Sequence, residues 1–109
     1  METFTRLAPQ HLVSSVGYEV LSAGRFGVIY REDGKDMLVE IEYGVQAQPS
    51  LPYSTTLMPG AFAKWNDGTP VDRENQLRIE NNFRAAMEFH GFAVVVWDDA
   101  NQSYQSHTI

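Results

Sequence analysis

The chain has 109 residues, a length that suits one domain with a single hydrophobic core. It contains 14 acidic and 8 basic residues, which give a net charge of −6, and it has no cysteine. The lack of cysteine excludes a disulfide framework, thiolate metal sites and a cysteine nucleophile. The negative charge argues against nucleic acid or an anionic membrane as a partner, because both attract clusters of Lys and Arg.

The N-terminal residues METFTRLAPQHLV lack the charged and then apolar pattern of a secretory signal. The longest apolar run, FAVVVW, is far shorter than the roughly 20 residues that a membrane-spanning helix needs. We therefore expect a cytoplasmic protein without a membrane partner.

Extended segments dominate the first half of the chain. Residues 4–16 alternate only weakly around Pro9 and receive no assignment, whereas the segments after them are rich in β-branched and aromatic residues. A turn signal, Asp33-Gly34, separates two of these segments and predicts a two-residue hairpin. The expected strands cover residues 17–22, 25–31, 36–44 and 53–58.

The hairpin sequence YREDGKDMLVEIEY is unusually acidic. After the turn, Met37, Val39, Ile41 and Tyr43 alternate with Leu38, Glu40 and Glu42, so that one face of the strand is apolar and the other carries carboxylates. Five acids surround Lys35, the base beside the turn, namely Glu32, Asp33, Asp36, Glu40 and Glu42. This excess of negative charge needs an explanation.

The period of the apolar residues changes from two to 3.6 after residue 70, which predicts a helix over about 72–90. Its apolar stripe comprises Ile79, Phe83, Ala86, Met87 and His90. Thr69 with Pro70, or Asp72, is suited to the start of the helix, and Gly91 to its left-handed end. The apolar run 92–97 then predicts a strand that is covered on both faces or central in a sheet.

These elements give the order ββββαβ and an α+β fold. We expect a mainly antiparallel sheet of about five strands with one long helix packed on one face. Residues 1–109 are expected to form a single domain, with 1–16 and 98–109 peripheral to it or flexible.

Catalytic patterns are missing from the sequence. His90 could approach Asp98 or Asp99, but neither an HExxH motif nor an EF-hand loop is present, so we expect no metal. No GxSxG elbow or phosphate-binding glycine loop occurs. Glu40 and Glu42 lie about 6–7 Å apart on one strand face, a spacing that is common on solvated sheets. We therefore expect neither an enzyme nor a cofactor.

Trp65 has two interpretations. It lies beside Asn66, Asp67 and Gly68 in an irregular segment, 59–70. Large aromatic side chains are usually buried, so the indole could close the core under the helix. Alternatively, it could be an exposed aromatic anchor for a partner.

The stretch from GRFGVIYREDGKDMLVEIEY to MPGAFAKWNDGTPVDRENQLRIENNFRAAMEFHGFAVVVW resembles small α+β immunity proteins of bacterial polymorphic-toxin and contact-dependent growth inhibition systems. The shared features are an acid-rich hairpin, a Trp shortly before a Gly-Thr-Pro turn, and a charged helix that runs directly into an apolar strand. The resemblance covers about residues 24–97. It implies a cytoplasmic protein that binds and neutralises one toxin domain and acts as a monomer or weak dimer.

Many such toxins are nucleases, whose clefts are basic because they hold phosphate. The acids of the hairpin would then take the place of phosphates, with Glu32, Asp33, Asp36, Glu40, Glu42 and Trp65 as the expected toxin-binding residues. Ordinary solubilising charge explains the same acids equally simply.

Two other functions remain open. One is a small-molecule-binding domain or enzyme whose pocket lies between helix and sheet and uses Tyr30, Tyr43, Trp65 and His90. The other is a structural module that dimerises through an exposed edge strand.

Overall fold

A computed structural model describes residues 2–24, 27–45, 53–57, 60–98 and 103–106, with the backbone alone for 43–45, 96–98 and 103–106. The fold is α+β. Its strands are β1 (Phe4–Ala8), β2 (His11–Ser14), β3 (Tyr18–Ser22), β4 (Gly27–Glu32), β5 (Lys35–Val45), β6 (Tyr53–Leu57), β7 (Phe92–Asp98) and β8 (Ser103–Ser106). One helix, α1 (Arg73–Phe89), lies between β6 and β7 in this part of the chain.

The strands form one sheet in which spatial order follows chain order from β1 to β8. Every neighbouring pair is antiparallel except β6 and β7, which are parallel. Parallel neighbours need a crossover connection, and α1 provides it. The helix contacts both β7 and β3, so the sheet curls around it.

The expected strands and the helix are all found, but the expected count of about five strands is wrong. The described residues contain three further strands, β1, β2 and β8. Two of these come from the N-terminal residues, and their Leu12 is buried in the core. Short strands with weak alternation carry little local signal, because neighbouring strands supply most of their stability. Residues 25 and 26 of the expected second strand lie outside the described residues.

Both ends of α1 follow from local sequence. Asp72 is the N-cap, and its carboxylate accepts a hydrogen bond from the backbone N–H of Asn75 at 2.8 Å. After the C-cap, His90, the chain turns through Gly91, whose φ of 90° is readily adopted by glycine. The helix therefore begins and ends where the sequence predicts.

The core lies between α1 and the concave face of the sheet. Phe83 is fully buried and contacts Phe62 edge-on, with ring centroids 5.6 Å apart. The predicted helix stripe is confirmed for four of its five residues, because Ile79, Ala86 and Met87 are buried with Phe83, whereas His90 is the partly exposed C-cap. The sheet contributes Leu12, Tyr18, Val20, Val28, Tyr30, Met37, Val39, Ile41, Leu57 and Val94. These residues come from one face of the alternating strands.

The segment before the helix forms a small hairpin that protects the edge of β5. A bridge between Lys64 and Pro70 closes it, and its tip residue, Asn66, reaches β5. There Asn66 donates its N–H to the carbonyl of Asp36 at 2.9 Å, and its Oδ1 accepts from the N–H of Leu38 at 2.8 Å. Asn66 thus provides hydrogen-bond partners for backbone groups of Asp36 and Leu38, which lie before the part of β5 that pairs with β6.

Candidate functional site

The acid-rich hairpin folds as its sequence predicts. Asp33 and Gly34 have φ values of 52° and 76°, so both central turn residues are left-handed. Glu32 pairs with Lys35 across this two-residue turn. Positive φ at both central positions is characteristic of the type I′ turn that matches strand twist. The turn fixes the register of β4 and β5, and with it the face on which each acid lies.

Glu32 is held by interactions within the protein. Arg78 on α1 donates to both oxygens of its carboxylate, with Nη2 and Oε2 2.8 Å apart. The hydroxyl of Tyr30 also donates to Glu32, at 2.8 Å, and accepts from Asn82 at 2.9 Å. The hydrogen bonds from Arg78 lower the pKa of Glu32, which therefore stays ionised. This carboxylate attaches the hairpin to the helix.

Asp36 is also paired. The guanidinium of Arg31, opposite it on β4, donates through Nε to Oδ1 at 2.8 Å. A hydrogen bond from Arg31 lowers the pKa of Asp36, and the same bond raises the pKa of Arg31. Two of the five expected binding acids are thus neutralised by internal partners.

The remaining three acids are exposed. Asp33 lies at the turn, and Glu40 and Glu42 point outward from β5. Among the residues that the structure describes, none of the three has an ion-pair partner within 4 Å. No counter-ion in this part of the chain therefore neutralises their charge.

An apolar row crosses the same outer face. Leu38 on β5 stands opposite Ile29 on β4, which stands opposite Leu21 on β3. Leu38 is 46% exposed, and the other two are partly exposed. Directly opposed residues in antiparallel strands have Cβ atoms about 5 Å apart, so the three side chains form one continuous patch. Leu21, Ile29 and Leu38 together are called the apolar row.

The sequence contains a partial signal for this row. Leu38 alternates with Glu40 and Glu42, which places an aliphatic side chain on the charged face. The alignment of Leu38 with Ile29 and Leu21 depends on the register between β3, β4 and β5. That register cannot be predicted from any one segment of the sequence.

Trp65 joins the core only in part. Its ring centroid lies 6.3 Å from that of Tyr30, and its side chain remains partly exposed beside the hairpin. This placement agrees with the interpretation in which the indole closes the core, while one edge still faces outward.

The residues of the alternative small-molecule site are not all brought together. Tyr30 is fully buried beneath Trp65 and stacks on Tyr18, with centroids 5.3 Å apart. His90 lies at the far end of α1, where its Nδ1 is 3.2 Å from the guanidinium of Arg6. Burial, with the charge of Arg6, lowers the pKa of His90. The side chain of Tyr43 lies outside the described residues.

A second polar cluster fixes the N-terminal segment. The carboxylate of Glu2 accepts hydrogen bonds from Ser14 and Tyr18, the latter at 2.6 Å. The hydroxyl of Tyr18 also lies 2.9 Å from the backbone carbonyl of Asn82. Burial raises the pKa of Tyr18, so the phenol keeps its proton and donates it. This network is structural, because each of its groups already has a partner.

Within the described ranges, no group of three or more His, Cys, Asp or Glu side chains is placed to hold a metal ion. The expected contact of His90 with Asp98 or Asp99 involves side chains outside those ranges. The helix in the described part of the chain is not long and apolar enough to cross a membrane. No family model, curated protein or solved structure matches this chain.

Proposed function

We propose that this chain is a bacterial immunity protein that binds a cognate toxin domain and neutralises it by occluding its active site or substrate surface. The toxin is a basic nuclease, and the immunity protein acts in the cytoplasm without catalysis of its own. One observation above all supports the proposal: Asp33, Glu40 and Glu42 are exposed on one hairpin, and none of them has an ion-pair partner within 4 Å among the described residues.

The physical argument is charge complementarity. A nuclease cleft is positive because it binds a phosphate backbone, and exposed carboxylates present similar charge on a rigid strand. Such complementarity speeds encounter and suppresses wrong partners. Within the expected binding set, Glu32 and Asp36 brace the hairpin through Arg78 and Arg31. Direct contact falls to the exposed Asp33, Glu40 and Glu42 and to the partly exposed Trp65.

The test uses an inactivated toxin domain encoded next to the gene of this chain. The double reversal Glu40→Lys with Glu42→Lys should lower the association rate at low salt about tenfold or more, and flatten its salt dependence. The matched control is Glu74→Lys with Glu88→Lys, which makes the same change of net charge at two exposed helix positions. This control should associate much faster than the hairpin variant.

The thermal unfolding of both variants should stay close to that of the parent, because exposed charges contribute little to folding. Failure of the parent protein to bind the neighbouring toxin would overturn the proposed function. Equal association rates for the two double variants would place the binding surface away from the hairpin.

A further inference from the structure

We infer that the outer face of β3, β4 and β5 is a docking surface with an apolar centre, and that its partner is a protein presenting apolar side chains flanked on one side by Lys or Arg. The inference rests on the proposed function for the identity of that partner. The surface itself rests on the apolar row and on the charges around it.

The apolar row is not accounted for by the stability of the fold. Half-covered antiparallel sheets normally place polar residues on the open face, and the charged residues of this face follow that rule. Leu38 departs from it, since almost half of its surface is exposed. The described helix packs on the opposite face, so it gives the apolar row no cover.

Gly27 shapes the centre of this surface. Its φ is not left-handed, so backbone conformation does not require glycine here. A Cβ at this position would lie 2.9 Å from Cδ1 of Leu38, which is too close for any real contact. Leu38 therefore lies directly over the Gly27 backbone. Glycine at this position therefore leaves the space that the end of the Leu38 side chain occupies.

The two borders of the apolar row differ in charge. On one side, Arg31 forms an ion pair with Asp36 at 2.8 Å, and Glu19 is hydrogen-bonded to His11 at 2.7 Å. The charges of Arg31 and Asp36 cancel and offer little net attraction to a partner. On the other side, Glu40 is opposite Gly27, which has no side chain to compensate it. The basic residues of the partner therefore belong on the Glu40 side.

Charge also indicates whether the partner at this surface is a different protein or a second copy of this chain. Two copies that met through this face would bring Glu40 and Glu42 toward the acids of the other copy, with the whole chain at −6. Like charges at an interface are costly. An apolar centre with an acidic border instead matches the anatomy of an interface for a basic partner.

The first experiment probes the surface without the toxin. Phenethylammonium, an apolar cation, is titrated into the isotope-labelled protein, with phenylacetate as the anionic counterpart. Amide shifts with the cation should concentrate at residues 21, 27–31 and 38–42 and be much smaller with the anion. Leu38→Thr should remove most of this response, whereas Leu7→Thr, at another exposed strand leucine, should retain it. Both variants must keep the dispersed spectrum of the parent.

The second experiment measures the association and dissociation rates of the complex with the inactivated toxin domain. Leu38→Thr should raise its dissociation rate about tenfold or more, because central apolar anchors act mainly on dissociation. Glu40→Gln with Glu42→Gln should act mainly on association, compared with Glu74→Gln and Glu88→Gln.

Shifts spread over the whole surface, or equal for cation and anion, would overturn the inference. A toxin complex that forms normally but dissociates at the same rate with Leu38→Thr would also overturn it and leave the proposed function standing. A concentrated cation response with no toxin complex would support the surface and remove the proposed function.

Discussion

The inner and outer faces of β3, β4 and β5 share one backbone but differ in what covers them. On the inner face, Tyr30, Met37 and Val39 are at most 1% exposed and pack beneath α1. On the outer face, the apolar row runs across the same strands with Leu38 almost half exposed. Burial stabilises the inner residues by excluding them from water, and the outer residues gain much less. The outer residues therefore contribute less to the stability of the fold than the inner residues do.

Replacing one residue of the core that covers the inner face and one residue of the apolar row measures this difference. Phe83→Ala should lower the free energy of unfolding by about 3–5 kcal/mol, since the fully buried ring leaves a cavity against Phe62. Leu38→Ala should cost less than about 1 kcal/mol, because much of that side chain is already in water. Urea denaturation of both variants gives the comparison. Similar losses would mean that the outer row is part of the core.

Two glutamates of one hairpin provide the next contrast. Glu32→Gln should cost about 1–2 kcal/mol at pH 7, because it weakens the contact with the half-exposed Arg78, whereas Glu40→Gln should change little. The pKa of Glu32 is lowered from 4.5, so the contribution is complete above that pH and is lost as the pH falls through the lower folded-state pKa.

The pH dependence of unfolding separates these two glutamates. Below about pH 4.5, the parent and Glu40→Gln should lose stability together, while Glu32→Gln should lose less, because it has no carboxylate left to protonate. Parallel curves for all three proteins would show that Arg78 does not hold Glu32 in solution.

The smallest expected effect is an increase in stability on replacement of Thr55. Thr55 faces the core with no exposed surface, and its hydroxyl has no hydrogen-bond partner among the described residues. Thr55→Val should raise the free energy of unfolding by about 1 kcal/mol, since it removes an unsatisfied buried group. Thr56→Val, on the outer side of the same strand, should stay within about 0.5 kcal/mol. A loss at position 55 would indicate that its hydroxyl is satisfied in solution.

Local chemistry explains why much of this fold could be predicted. The turn at Asp33-Gly34, the cap at Asp72 and the ending at Gly91 each depend on residues within one turn of chain. The stripe containing Phe83 depends on helical periodicity alone. These predictions need no knowledge of distant contacts.

Other features depend on contacts between distant segments. β1 and β2 are stabilised by pairing and by the burial of Leu12, and the edge of β5 is completed by Asn66 from a hairpin 28 residues away. No local pattern encodes such partners. The strand count was underestimated for this reason.

Local patterns account for the α+β order of the central elements, the apolar face of α1 and the presence of acids around one turn. Periodicity and turn chemistry depend on neighbouring residues, and they act before the chain is folded. In contrast, which of the acids have a counter-ion among the described residues follows from the tertiary structure. Glu32 faces Arg78 and Asp36 faces Arg31, while Glu40 faces Gly27. The availability of a charge depends on what lies across from it, and strand register and helix packing set those neighbours.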